Sequence, residues 1–404
     1  MGDSSLNLLF LSWWFPYPPD NGSRIRLYNL LNQLSQDHSV TLLTFSDDPM
    51  ADLVHVPVLR EFCADVQVVR RVPFAPGRWR ALRGFFSLWP RFFVETHSRE
   101  MVDLVVQRAS THDIVIASQV WMTRYALAAG KRPIVLEELE VTPFYEGRGL
   151  HQDLFWQLRC GPMWWKFRRL VRTLARQFDA VTVASDHEVR LLEEIAPIHN
   201  LLTVVPNGVD LSLYEDDFGQ PVPDTLIYPG ALTFYANYGA MAYFLDEIYP
   251  LIRARCPQAV LRITGKTDGV DLSALPANDG VIFTGYLEDI RPAVAQSWAC
   301  VVPLKVGGGS RLKILEAMAL GTPVVATSKG AEGLDVTAGE DILIADEPSA
   351  LAGAVLQLLE DQALRTRLAA NGRRLVEDSY SWETCGRTLE QLLDQVVERR
   401  ENAA

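Results

Sequence analysis

The sequence is short of several things, and each shortage closes off a class of protein. Cysteine is scarce and odd in number: Cys63, Cys160, Cys256, Cys300 and Cys385 lie far apart, and no two have metal-ligand spacing. That pattern argues against a disulfide framework or a thiolate metal site and fits buried free thiols in a reducing compartment. No run reaches the ~18 apolar residues that a spanning helix needs. Leu6 to Phe15 is apolar but short, and the residues before it carry Asp3 rather than a basic cluster, so no secretory leader is expected and a cytoplasmic location is. Positive charge is in deficit. The formal net charge of −12 argues against nonspecific nucleic-acid binding, which needs a basic footprint. There is no G-x-G-x-x-G, so the dinucleotide fingerprint is missing.

What is present suffices for two ordinary cores. The 404 residues, 48% hydrophobic and 22% charged, fit two domains of about 200 residues each. Apolar runs alternate with helix-forming stretches in both halves, which predicts two doubly wound parallel sheets. Leu6 to Leu11, Val40 to Phe45, Asp113 to Ser118, Ile134 to Leu136 and Ala180 to Ala184 read as strands of the first half. Thr225 to Tyr228, Ala259 to Thr264, Val281 to Thr284, Val301 to Leu304 and Val324 to Ala326 read as strands of the second. A helix is expected from Asn237 to Ile252. From Ala350 the chain reads as helical, ending in a helix that begins at Ser381-Trp382 and a frayed tail from Arg399.

The most informative run is Val301 to Leu334, VVPLKVGGGSRLKILEAMALGTPVVATSKGAEGL. It reads as strand, glycine loop, helix, turn and strand, with Ser310 as N-cap and Gly321-Thr322-Pro323 as the stop. A glycine loop feeding a helix N-terminus suits an anion: backbone N–H groups point outward, and glycine lets a phosphate approach them. Arg311 and Lys313 add cations there, and Glu316 lies one turn beyond Lys313, where a carboxylate can accept from a ribose diol. Three glycines alone fit a structural turn equally well, with Glu316 a solvated helix residue. The full run, with a basic residue three before a Glu, Glu-Ala-Met-Ala and Gly-x-Pro-Val-Val-Ala, resembles the signature of the retaining glycosyltransferases of family four.

That resemblance implies the GT-B fold: an α/β chain of two Rossmann-like doubly wound domains with a cleft between them and a C-terminal helix crossing back. On this scheme residues 1–206 form an acceptor-side domain, 207–380 a nucleotide-sugar domain, and 381–404 the returning helix. Leu202 to Asp210, LTVVPNGVD, matches the family's domain junction, followed by a polar linker to about residue 222. The implied activity is transfer of a sugar, with retention, from a nucleoside-diphosphate donor to a hydroxyl of a glycan or lipid-linked acceptor in polysaccharide biosynthesis. Arg311, Lys313 and Glu316 carry the chemistry; Gly22, Ser23, Gly230, Lys266, Tyr286, Leu287, Gly308, Gly309 and Ser310 are donor-side candidates. With no Asp-x-Asp, no metal or other cofactor is expected. Two departures keep other readings open: Gly308 stands where the family has the first Glu of its pair, and Ser118-Gln119-Val120-Trp121 lacks the family's His. A noncatalytic sugar-nucleotide-binding protein and a nucleotide-sugar epimerase of the same fold are the alternatives.

The remaining candidates lie in the first half. Gln119, Glu138 and Glu140, at strand ends, suit acceptor hydroxyls or a solvated acidic loop. His112 reads as solvated, and Ser185 with Glu188 reads as a capping box. Two stretches, Pro73 to Phe93 and Phe155 to Phe178, interleave arginines (Arg78, Arg80, Arg83 and Arg91 in the first) with large aromatics. They suit either packed helices or the surface of an anionic membrane, which would make the protein peripheral at its inner face.

Overall fold

The computed structural model describes residues 5–75, 79, 83–142, 154–196, 200–276, 279–307 and 311–403. The chain divides into two compact units, Met1–Pro206 with Cys385–Ala404, and Asn207–Thr384. Each is built on one parallel sheet.

The first sheet has seven strands: β1 (Asn7–Ser12), β2 (Ser39–Ser46), β3 (Asp65–Arg70), β4 (Ile114–Ser118), β5 (Ile134–Glu137), β6 (Ala180–Val183) and β7 (Leu201–Val204). Their order is β3-β2-β1-β4-β5-β6-β7. Strands covered on both faces have no polar side, which is why β1 and β4 are continuous apolar runs and are buried along nearly their whole length. Between β1 and β2 runs helix α1 (Gly22–Asp37), which Asn21 caps by accepting from the Arg24 N–H at 3.2 Å. The long helix α2 (Leu154–Gln177) and α3 (Asp186–Ile195) flank β6.

Two local readings are corrected here, and a third, left open, divides. His112 is buried, its Nδ1 2.8 Å from the Arg108 carbonyl. Ser185 does cap α3, but the Glu188 carboxylate turns inward and accepts from the Val141 and Thr142 N–H groups at 2.7 and 3.2 Å. The aromatics of the two basic stretches divide. Phe93, Phe167 and Phe178 join the core, whereas Phe85, Phe86 and Trp165 face outward; Arg78 and Arg80 lie outside the described residues.

The second sheet has six strands: β8 (Val222–Pro229), β9 (Val260–Thr264), β10 (Val281–Gly285), β11 (Ser297–Val302), β12 (Val324–Ala326) and β13 (Leu343–Ile344), ordered β10-β9-β8-β11-β12-β13. The predicted Asn237–Ile252 helix extends from Tyr235 to Arg255, with a π turn over Phe244–Ile248. Helix α4 (Leu312–Ala319) follows β11. The segment read as a linker is part of this unit: Leu211–Tyr214 is a 3-10 turn, held by Arg291 donating to the Leu213 carbonyl (2.6 Å) and Arg373 to that of Tyr214 (3.2 Å).

Helices Pro348–Glu360 and Gln362–Ser379 precede the last helix, α5 (Trp382–Ala403). From Cys385 onward α5 belongs to the first unit, where Gly386 lies so close to Gln33 that an added Cβ would meet its Cβ at 2.8 Å. The tail is not frayed. It stays helical to Ala403, and Arg400 donates to both Asp179 carboxylate oxygens, at 2.9 and 3.0 Å. Cys63, Cys256, Cys300 and Cys385 are free and buried, and burial pushes the Cys63 and Cys300 thiols up to about 12, so neither is a ready nucleophile. Among the described residues no helix is long and apolar enough to cross a membrane.

Candidate functional site

In each sheet the strand order reverses beside its first strand, between β1 and β4 and between β8 and β11. Ligands of open parallel sheets bind outside the carboxyl ends of the strands at such a reversal. In the second unit two loops leave this point: Gly230 after β8, and Pro303 to Gly307 after β11. Gly307 turns the latter at φ +104°, a left-handed conformation natural only to glycine. Gly308, Gly309 and Ser310 lie outside the described residues.

Helix α4 presents Lys313 in its first turn and Glu316 in its second. The Lys313 ammonium donates to the Tyr228 hydroxyl and to Asn237 Oδ1, both at 3.0 Å. Tyr228 itself donates to Asn237 Oδ1 (2.7 Å), and the Asn237 amide is oriented by donating its Nδ2 to the Ala231 carbonyl (2.9 Å). Gly230 leaves room for this cluster: a Cβ on it would sit 2.8 Å from Lys313 Nζ and 3.0 Å from Asn237 Nδ2, so a side chain there would push the ammonium off its partners. The ammonium's two partners are thus neutral oxygens, a tyrosine and an asparagine that local sequence did not flag. Burial with no paired carboxylate lowers the Lys313 pKa to about 8. Glu316 accepts from the Tyr214 hydroxyl at 3.4 Å, and burial raises its pKa to about 7.

Arg311 is differently placed. It is buried, and its Nη2 donates to the Gly307 carbonyl (2.9 Å) and the Lys329 carbonyl (2.8 Å), with Glu332 3.9 Å away. The guanidinium therefore ties the glycine loop to the loop after β12. Lys266 is exposed after β9, its ammonium 5.7 Å from the centroid of the equally exposed Tyr286 ring, with Leu287 half-buried beyond.

The first unit holds a second charged centre at the carboxyl ends of its strands. Arg26 of α1 is wholly buried and donates through Nε to Glu137 (2.6 Å), through Nη1 to the Pro206 carbonyl and through Nη2 to that of Val205, both at 2.9 Å. Ser118 donates to the other Glu137 oxygen at 2.6 Å. Above this pair, Gln119 Nε2 donates to Glu138 at 3.1 Å, and both residues hold left-handed backbone, φ +67° and +55°. Non-glycine residues adopt that conformation only when the surroundings impose it, and such strain concentrates at functional sites. Glu140 is half-buried further along, while Gly22 and Ser23 form the first turn of α1.

Comparisons with known proteins agree with this architecture. The family described as Glycosyltransferase Family 4 matches residues 20–213, and that described as Glycosyl transferases group 1 matches residues 223–361. A "GDP-mannose-dependent monoacylated alpha-(1-6)-phosphatidylinositol monomannoside mannosyltransferase" of Corynebacterium glutamicum is 24% identical over 246 residues. That match covers 56% of this chain and 65% of the relative, just under two thirds of its length. Among solved structures, Anabaena HepE in complex with UDP and glucose superposes with a TM-score of 0.65 at 18% identity, over 96% of this chain and all of that one. Sucrose-phosphate synthase from Thermosynechococcus elongatus superposes at 0.70, again at 18% identity, over 97% and 100%. The two doubly wound sheets are those of the GT-B fold, and the chain belongs to the group 1 glycosyltransferases.

Proposed function

We propose that the protein is a retaining hexosyltransferase that moves a sugar from a nucleoside-diphosphate sugar to a hydroxyl of a glycan or lipid-linked acceptor. The observation that carries this reading is Lys313. A half-buried ammonium held only by neutral oxygens, at the switch point of a parallel sheet and beside a glycine loop, is matched to an incoming diphosphate. As the bond from the sugar's anomeric carbon to the diphosphate breaks, negative charge grows on the leaving oxygen, and a cation already in position stabilises it without reorganisation. Glu316 faces the same region and accepts from ribose hydroxyls. Arg311 acts as a positioning residue that sets the path of the glycine loop. With that cation supplied by the chain, the transfer proceeds without a metal, so activity should survive chelation.

The donor's base is left open by the relatives, since one is named for GDP-mannose and another was solved with UDP and glucose. Screening nucleoside diphosphates and nucleotide sugars for thermal stabilisation decides it, because a ligand at about 100 times its Kd adds ~2.7 kcal/mol. Stabilisation by one base, followed by sugar transfer with the donor's anomeric configuration kept in the product, supports the reading. No stabilisation by any nucleotide overturns it. Gly308, in place of the family's Glu, favours one rival reading, a sugar-nucleotide binder without turnover. Stabilisation with neither transfer nor donor hydrolysis would establish that rival.

A further inference from the structure

The exposed aromatics of the first unit have an organisation that core packing does not explain. Phe86 is 95% exposed, and Phe85, Leu88 and Trp165 are each more than half exposed. These residues come from two distant segments that the structure joins. Lys166 of α2 donates to the Gly84 and Phe85 carbonyls at 2.8 and 3.0 Å, so the Phe85-Phe86 loop is fastened to the same turn of helix that carries Trp165. The Arg91 guanidinium lies 3.9 Å from the centre of the Phe85 ring. An open depression of about 520 Å³, lined by Arg83, Phe86, Ser87 and Val94, adjoins it.

The two segments that form this patch carry charge of one sign. Arg71 to Val94 contains no Asp or Glu, and neither does Leu154 to Phe178, in a chain whose net charge is −12. Arg83, Arg91 and Lys166 bring cations to the patch, and Arg169, Arg172 and Arg176 continue along the exposed side of α2. Burial, and after it the neighbouring Arg91, hold the Lys166 ammonium below its ordinary value. An exposed aromatic surface of this kind is costly in water unless something covers it. A partner in keeping with both features has an apolar interior for the rings and a negatively charged rim for the arginines.

We infer that the surface formed by Phe85, Phe86, Leu88 and Trp165, with Arg83, Arg91 and Lys166 around them, docks on an anionic phospholipid bilayer. The rings enter the headgroup boundary, and the cations meet lipid phosphates and carboxylates. This surface lies wholly in the first unit, and its occupancy does not depend on the donor reading.

Vesicle co-sedimentation of the full chain tests it. With vesicles of phosphatidylglycerol and phosphatidylcholine at low salt, the protein should pellet, and raising the salt to about 0.5 M, where charges are screened within a few ångströms, should release most of it. Phosphatidylcholine alone should retain little. Phe86→Ser with Trp165→Ser should lower partitioning at least tenfold, and Arg83→Gln by about fivefold, the worth of one cation near such a surface. Both changes are at exposed positions, so melting temperature and nucleotide stabilisation should match the parent. Failure to pellet at low salt overturns the proposal, and so does equal binding to neutral vesicles. Pelleting that the Phe86/Trp165 variant leaves unchanged also overturns it, because the contact would then lie elsewhere. Capture of a soluble protein through this face, without lipid binding, would replace the bilayer with a protein partner.

Discussion

The two units each place a charged centre at the carboxyl end of a parallel sheet, and the two centres are built in opposite ways. In the first, Arg26 and Glu137 are both wholly buried and paired at 2.6 Å, Ser118 donates to Glu137, two backbone carbonyls accept from Arg26, and a second carboxylate, Glu138, lies 3.7 Å from the guanidinium. In the second, Lys313 and Glu316 are half-buried on neighbouring turns of one helix, yet the partners they find are hydroxyls and an amide oxygen. Taking a charge out of water without a counter-charge is expensive, and both groups shift toward their neutral forms in response. A completed ion pair holds a fold together. An incomplete one is a site waiting for the missing charge.

The largest effects should separate the two centres cleanly. Lys313→Ala should lower kcat/KM by about 10²- to 10³-fold, the range typical of removing one preorganised stabiliser. Its melting temperature should hardly move, since Tyr228 and Asn237 retain their mutual 2.7 Å bond. Arg26→Leu should do the reverse, costing roughly 3–5 kcal/mol by leaving Glu137 buried without its partner. Chemical denaturation measures the cost. Arg26→Leu combined with Glu137→Leu should recover a large part of it, as apolar replacements of buried pairs commonly do. If Lys313→Ala unfolds the protein or leaves turnover intact, the contrast between the centres fails.

A smaller effect sharpens the contrast through pH. A diphosphate needs Lys313 protonated, and ribose hydroxyls need Glu316 ionised. With the free protein's groups at about 8 and about 7, affinity should peak between those values and fall on either side. A nucleotide sugar is the right probe because its diphosphate has no proton to lose in that range. Without ligand the stability trend has a definite sign. Glu316 binds its proton more tightly folded than unfolded, so its contribution declines as pH rises from 4.5 to about 7. Lys313 binds its proton less tightly folded, so its contribution grows from about 8 toward 10.5. Calorimetry with and without the nucleotide sugar measures both. Glu316→Gln should abolish the acid limb of the binding profile and leave the basic one.

The same contrast explains how far the sequence could be read. The inner strands of both sheets are legible because strands buried on two faces are apolar runs, and Gly-Thr-Pro or Pro-Asn-Gly punctuates them. The edge strands β3, polar and partly exposed, and β13, two residues long, carry no such run and were not read. Lys313 and Glu316 were legible because one helix carries both, three residues apart. Their partners were not, since Tyr228, Asn237 and Tyr214 lie 85, 76 and 102 residues away, and no local pattern connects them. Arg26 and Glu137, 111 residues apart, were invisible for the same reason. Arg311 reads as a phosphate ligand by composition, whereas its contacts with the Gly307 and Lys329 carbonyls depend on where the loop after β12 arrives. His112, polar and beside a strand, looked solvated until its Arg108 contact placed it inside. Residue type suggests what a group can do; its state is set by distant neighbours.

The smallest expected effect probes the link between the 3-10 turn and the site. Tyr214 donates to Glu316 at 3.4 Å, a long hydrogen bond that nonetheless works against the desolvation raising this carboxyl group. Tyr214→Phe removes the donor and keeps the ring, so global stability should change by less than about 1 kcal/mol. The carboxyl group should then titrate at higher pH, moving the acid limb of nucleotide-sugar binding upward and leaving the basic limb where it was. Affinity at pH 6.5 should fall severalfold, while affinity at pH 7.5 should fall much less. Equal losses at the two values would mean that Tyr214 touches the nucleotide directly. No loss at either would mean that Glu316 is set by burial alone, and that the turn serves only to close the edge of the second unit.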